Sequence, residues 1–271
     1  MKDTLTYHLL INHHLRPFFL KRGYIEVPAQ TRRSILAACE DPHTISKYKF
    51  GGVVFPLPQT GQMWLESELL EHSQWQGVFC ITTSYRDEPK PVDGRHDRIF
   101  PMFEFESKGD INALTSLESD LLKGLGFSNQ HSIVYEKACE TLETTEIGYD
   151  EEVKLCKMFN TDSVFLSNFP QRTHPFWNMK CNNDGTYAKV DVILGGMETI
   201  GSAERSCDRD QMLESFHTIS DGEYAHLLYK QFGRKRVDAE LQAYLAHEMF
   251  PRFGGGIGLT RLANAVRKEN L

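Results

Sequence analysis

The run Gly254-Gly255-Gly256-Ile257-Gly258-Leu259-Thr260-Arg261-Leu262 constrains this chain more than any other segment. A glycine strand that runs into a helix lets backbone come close to a ligand where a Cβ would intervene. An arginine one helical turn later, Arg261, can reach phosphate oxygens. Far upstream stand Tyr85-Arg86-Asp87-Glu88, then Arg95-His96 and Phe100. Arg86 can clamp an α-phosphate, Glu88 can read an adenine amino group, and Phe100 can stack on the ring. Together the two segments predict an ATP site that also takes in Arg95, His96, Gly256 and Gly258. No G-x-x-x-x-G-K-[ST] loop competes, and the glycine run lies near the C-terminus instead of after a first strand, unlike a dinucleotide fingerprint.

Activating a carboxylate with ATP requires the attacking oxygen, the α-phosphorus and the leaving pyrophosphate to lie roughly in line, with phosphate charge neutralised by arginines and magnesium. Arg86 and Arg261 are the candidate catalytic arginines, and Asp191 and Glu198 the candidate metal ligands. Taken singly, each of the four is more often a surface ion-pair residue. The spacing argues otherwise. In the segment from Val190 to Arg205, Asp191 and Glu198 fall at the ends of adjacent strands, and Arg205 can return to the same place.

A chain of 271 residues can bury a substantial core, and one large domain over residues 1–271 fits it better than two. A net charge of −7 argues against a broad polyanion-binding surface, so transfer RNA is not expected as a partner. The basic run Arg234-Lys235-Arg236 reads as a solvated helix end. Six cysteines without C-x-x-C spacing, no signal peptide and no long apolar run predict a reduced, cytoplasmic protein outside the membrane, without structural zinc.

Apolar residues recur at helical intervals from Leu5 to Arg22, with Pro17 expected to kink the helix, and Gly23 precedes a strand over Tyr24 to Pro28. Further strands are expected at 52–55, 77–82, 100–106, 163–166 and 190–194, and helices at 114–125 and 150–158. The alternation Met102-Phe103-Glu104-Phe105-Glu106 fits a half-buried strand.

At these motifs the chain resembles the catalytic core of class II aminoacyl-tRNA synthetases, closest to the aspartyl/asparaginyl branch. The GGGIG-x-x-R close also resembles the ammonia-dependent, AMP-forming asparagine synthetase, a relative of that branch. The resemblance implies an α+β fold, with a mixed, mainly antiparallel sheet flanked by helices, and a homodimer built on the first helix and strand. Because the first helix is expected almost at Met1, no separate anticodon-binding domain is expected within these residues. The resemblance further implies an amino-acid site from Glu40, Thr60, Gln62, Glu66, Glu104 and Arg205, with Cys39-Glu40 meeting the substrate ammonium.

Departures from the branch pattern bear on the substrate. Leu65 stands where aspartyl enzymes carry a lysine, and Glu204 where a glutamine usually precedes the final arginine. With Glu66 these make the side-chain end of the site more acidic than an aspartate site, and Glu66 suits an amide NH₂. Ile99 replaces a glutamate, Asp41 a glycine and Trp177 a tyrosine. The resemblance thus implies an AMP-forming ligase that uses ATP and magnesium to make an aminoacyl-adenylate of aspartate or an asparagine-like acid, with ammonia or a small amine as acceptor. A biosynthetic ligase similar to asparaginyl-tRNA synthetase, passing activated asparagine or a related amino acid to another acceptor, and a non-catalytic paralogue that binds ATP or an amino acid, are the alternatives.

Overall fold

The computed structural model describes residues 4–30, 33–36, 41–92, 95, 97–173 and 175–268. The N-terminal helix is not uniform. Helices α1 (Thr4–Leu9) and α2 (Arg16–Leu20) flank a π-helical stretch, Leu10–Leu15. Pro17 lies in the first turn of α2, where its missing N–H costs least, and the irregularity falls in the π stretch before it.

There follow β1 (Tyr24–Glu26), a separate hairpin of β2 (Lys47–Phe50) and β3 (Val53–Pro56), and α3 (Gln62–Glu71). A long hairpin of β4 (Gly77–Tyr85) and β5 (Ile99–Lys108) leads into α4 (Ile111–Gly124), whose N-cap Asp110 accepts from two backbone N–H groups. Next come β6 (Gln130–Val134), α5 (Tyr135–Leu142), α6 (Tyr149–Met158), β7 (Ser163–Pro170), β8 (Thr186–Leu194) and β9 (Met197–Glu204). Helices α7 (Arg209–Thr218), α8 (Glu223–Phe232) and α9 (Arg234–Leu245) precede β10 (Arg252–Gly258) and α10 (Leu259–Lys268).

Eight strands form one sheet in the order β1-β4-β5-β10-β9-β8-β7-β6. The pairs from β4 through to β7 are antiparallel, and β1 and β6 join the two edges in parallel. This is the expected α+β class. Side chains alternate across the sheet. Phe103, Phe105, Val190, Val192, Phe253 and Ile257 belong to an apolar core shared with α4 and α10. Burying each such side chain stabilises by about 1.5–3 kcal/mol, so that face anchors the sheet. The alternate positions carry Glu104, Glu106, Lys189, Asp191, Gly254 and Gly256. A second core, including Met63, Trp177, Phe216, Leu228 and Tyr244, packs α7, α8 and α9 together with part of α3. Glu104 and Glu106 are therefore fully buried, and β5 is covered on both faces instead of half-buried.

The basic run begins α9. Arg234 and Lys235 are exposed, while the half-buried Arg236 donates to Glu240 (2.9 Å) and to the Val54 carbonyl (2.6 Å). Among the described residues, no helix is long and apolar enough to cross a membrane.

Candidate active site

Two adjoining cavities open on the polar side of the sheet. The larger, about 470 Å³, is bordered by Arg86, Glu88, Phe100, Glu198, Gly256 and Arg261. The β4–β5 hairpin places the first three. Its loop is closed by the Arg86 N–H donating to the Arg98 carbonyl (2.8 Å) and braced by the Arg98 guanidinium on the carbonyls of Glu88 (3.0 Å) and Pro89 (3.4 Å). The guanidinium carbon of Arg86 stands 5.5 Å from the centre of the Phe100 ring. Arg95 donates to Glu152 Oε2 (2.5 Å) and lies 4.0 Å over the Tyr149 ring, so α6 also contributes to this wall. His96, like Glu40, lies outside the described residues.

The glycine strand has more than one physical cause. A Cβ on Gly256 would stand 2.7 Å from Met102 Cε, and one on Gly254 would collide with the Glu106 carboxylate at 1.9 Å. Gly256 and Gly258 border the larger cavity, and Gly254 the smaller. Arg261 in α10 donates to the Glu198 carbonyl at 2.7 Å.

Strict alternation would send Glu198 and Asp191 to opposite faces. The β8–β9 register shifts between Val192 and Ile193, so that Ile193 faces Glu198 while Val192 faces Ile200. This irregularity re-aims Glu198 toward the face of Asp191. A Cβ on Gly201 would lie 3.1 Å from Glu198 Oε1 and 3.7 Å from Asp191 Oδ1, so the two carboxylates converge over that glycine. Asp191 Oδ1 is buried without a hydrogen-bond partner. Burial pushes the Asp191 carboxyl up to about 7, opposed by Lys189 and reinforced by Glu198. Two hard oxygen donors with an orphaned oxygen between them fit a magnesium ion. No group of three or more His, Cys, Asp or Glu suited to a metal occurs among the described residues, so phosphate and water oxygens would complete its shell.

The smaller cavity, about 320 Å³, shares Arg86, Glu198 and Gly201 with the larger and adds Gln62, Lys189 and Arg205. Lys189 donates to Asp191 Oδ2 at 2.6 Å and stands 3.8 Å over the Phe169 ring. Sequence reasoning passed over it, although a lysine two residues before Asp191 on a strand must share its face.

Three expected amino-acid contacts lie elsewhere. Glu66 is fully buried behind the cavity. Its Oε1 accepts from Asn178 (2.8 Å) and lies 3.4 Å from Arg205 Nε, and its Oε2 accepts from Tyr244 (2.5 Å) and Arg252 (3.1 Å). Burial acts to raise this carboxyl, and the two arginines outweigh it and hold the group below the usual range. Arg205 also donates to Glu106 (2.5 Å), which burial pushes up to about 8 against the pull of Arg205. Glu104 is likewise buried and accepts from the Gly61 N–H (2.8 Å) and the hydroxyls of Thr60 and Thr82. It fixes the turn that starts α3, and Thr60 serves that turn instead of the cavity wall. Gln62, the next residue but one, reaches the wall.

The acidity expected at the side-chain end is also corrected. Glu204 accepts from the Ile111 N–H (2.9 Å) and Lys180 (2.7 Å), which ties it to the start of α4. Leu65 is fully buried in a satellite core, and Trp177 is buried among Phe216 and Tyr244, so neither forms the cavity wall.

Residues 1–270 match the family of tRNA synthetases class II (D, K and N). The mitochondrial asparagine–tRNA ligase of Schizosaccharomyces pombe is 25% identical over 242 residues, 77% of this chain and 49% of that protein. The asparagine–tRNA ligase of Ureaplasma urealyticum is 27% identical over 130 residues, 46% of this chain and 25% of that protein. The chain thus spans about half or less of the curated relatives it matches. Among solved structures, asparaginyl-tRNA synthetase from Pyrococcus horikoshii complexed with asparaginyl-adenylate aligns over 97% of this chain and 64% of that one, with a TM-score of 0.79 and 22% identity. A putative aspartyl-tRNA synthetase from Leishmania major gives a TM-score of 0.76 and 16% identity over 97% of this chain and 61% of that one. These two likenesses show the fold. All four are named for tRNA, so the expectation that tRNA is not a partner finds no support among them. The match over residues 1–270 decides the family: the chain belongs to the class II tRNA synthetases of the D, K and N group.

Proposed function

We propose that this chain activates an amino-acid carboxylate with ATP, forming an aminoacyl-adenylate and releasing pyrophosphate. The observation that carries this reading is the junction of the two cavities, whose shared border includes Arg86 and Glu198. ATP fits the larger cavity, with its adenine against Phe100 and Glu88, and the amino acid fits the smaller. Arg86 then holds the substrate carboxylate beside the α-phosphate, and Arg261 reaches the γ-phosphate end. A carboxylate oxygen attacks the α-phosphorus, and the bond to the bridging oxygen breaks. Asp191 and Glu198 would hold magnesium, which would supply charge neutralisation at the phosphates.

Neutral ammonia or a small amine then attacks the acyl carbon of the adenylate, forming the C–N bond as AMP leaves and a proton is released. A third cavity, about 220 Å³, supports this step. It shares Lys189, Asp191 and Glu198 with the amino-acid cavity and is bordered by Glu146, Glu152 and Arg172, so its carboxylates outnumber its cations and favour a small cation such as ammonium. We further infer a homodimer through the N-terminal helical stretch (α1 to α2) and β1, which the exposed Leu5, Leu9 and Leu20 support.

Purified protein with ATP, magnesium, an amino acid and either ammonium or a tRNA pool tests the second step. Amide formation detected by mass spectrometry supports the amine acceptor. Transfer to tRNA with no amide formed contradicts it.

A further inference from the structure

We propose that Lys189 sets specificity and makes the smaller cavity a site for an amino acid with a negatively charged side chain. The inference rests on the reading of that cavity as the amino-acid site, and it names the class of amino acid taken.

Charge is arranged along the cavity. Its acids Asp191 and Glu198 converge over Gly201 at the end shared with the nucleotide cavity. Lys189 pairs in register with Ala203 and Asp191 with Gly201, so Lys189 lies one step along the same face toward Arg205. That end is bordered by Lys189, Arg205, Met179 and Gly254. An amide side chain there would need an acceptor for its NH₂. The acids nearest in sequence and space are committed elsewhere. Glu66 serves two arginines, a tyrosine and an asparagine; Glu106 serves Arg205; Glu204 serves Lys180 and the start of α4. None of these three acids lies on the cavity wall; of the acids that do, Asp191 and Glu198 stand at the far end, and Asp41 accepts from the His43 N–H (2.8 Å).

Arg205 is itself engaged by Glu66 and Glu106 and is almost wholly buried. Lys189 is the cation at that end whose commitments are lightest. An ammonium has three N–H donors, and Asp191 takes one. The Phe169 ring lies 3.8 Å from the Lys189 nitrogen and shields it from water on that side, which strengthens its attraction for an anion. A distal carboxylate placed between Lys189 and Arg205 meets donors, whereas a distal amide leaves its NH₂ group facing cations.

The test compares the wild-type chain with Lys189→Gln and Lys189→Arg. Binding of aspartate, glutamate and asparagine is measured by titration calorimetry, and exchange with ATP and pyrophosphate is measured for each amino acid. Wild type is expected to prefer an acidic amino acid. Lys189→Gln should lose roughly 10- to 100-fold toward that acid with much less change toward asparagine, the range set by a hydrogen bond to a charged group. Lys189→Arg should keep the preference. Because Lys189 also pairs with Asp191, damage through the metal site falls on every amino acid alike, so the ratio between acid and amide is the readout. A wild-type preference for asparagine, an equal loss toward all three, or no binding of any of them overturns the inference. Exchange that runs with asparagine and is indifferent to Lys189→Gln sinks the inference and leaves the ligase reading standing. Lysine-dependent binding of aspartate or glutamate without any exchange does the reverse.

Discussion

Arg86 and Arg261 border a nucleotide-sized cavity, while Arg205 and Arg252, at most 1% exposed, are enclosed with Glu66, Glu106, Tyr244 and Asn178. The same side chain does opposite work at the two ends. At the nucleotide end, arginine is presented to a space that phosphates would fill. At the interior end, it is held by protein carboxylates, and its charge serves to keep one wall of the amino-acid cavity in place. Residue type alone does not separate these uses; burial does.

Breaking the interior cluster should give the largest effect. Glu66→Ala takes from buried Arg252 its paired carboxylate and leaves Arg205 with Glu106, and losing one partner of a buried pair costs about 3–5 kcal/mol. Urea unfolding should show the midpoint falling with its slope unchanged. A variant as stable as wild type, altered only in amino-acid choice, would return Glu66 to the substrate.

The converse substitution is Arg86→Ala. Removing one charge partner of a transition state typically costs about 2.7–4 kcal/mol, so exchange of pyrophosphate should fall by two to three orders of magnitude while the melting temperature stays near wild type. Loss of stability in place of loss of exchange would put Arg86 with the interior arginines.

Much of the larger cavity's lining was legible in the sequence, because its groups sit at short intervals on a hairpin, a glycine strand and one helix. The positions of Arg86, Glu88, Phe100, Gly256 and Arg261 around one cavity follow from local geometry. The interior end was not legible. Glu66, Asn178, Arg205, Tyr244 and Arg252 come from α3, β10, α9 and the segments beside β8 and β9, and only tertiary packing brings them together. Glu66 and Glu204 read as pocket acids because nothing local tells which neighbours neutralise them. Lys189 was readable by strand parity, whereas Glu198 was not, since a register shift overrides parity there. The π-helical stretch before Pro17 and helices α7 to α9 carry no motif that ties them to the site.

A smaller effect sharpens the comparison at another buried acid. Glu118 in α4 is buried, and burial pushes its carboxyl up to about 8, opposed by the Ser202 hydroxyl and reinforced by Asp191. The unfolded chain releases this proton near the ordinary value of 4.5, and the folded chain keeps it until about pH 8. Between those values the folded state binds more protons, so this group's contribution to stability is present at low pH and is lost as pH rises through the window. One proton contributes at most about 1.4 kcal/mol per pH unit. Glu118→Gln should therefore flatten the fall in unfolding free energy between pH 5 and pH 8. An unchanged slope would mean that Glu118 is ionised in the fold.

The central claim is that the two cavities meet where a carboxylate attacks ATP. Amino-acid-dependent exchange of labelled pyrophosphate into ATP, measured on the whole chain with magnesium and each amino acid separately, tests it most directly. Exchange is expected with one amino acid or a small set, and Arg86→Ala should abolish it. No exchange with any amino acid, from protein that binds ATP, would contradict the claim.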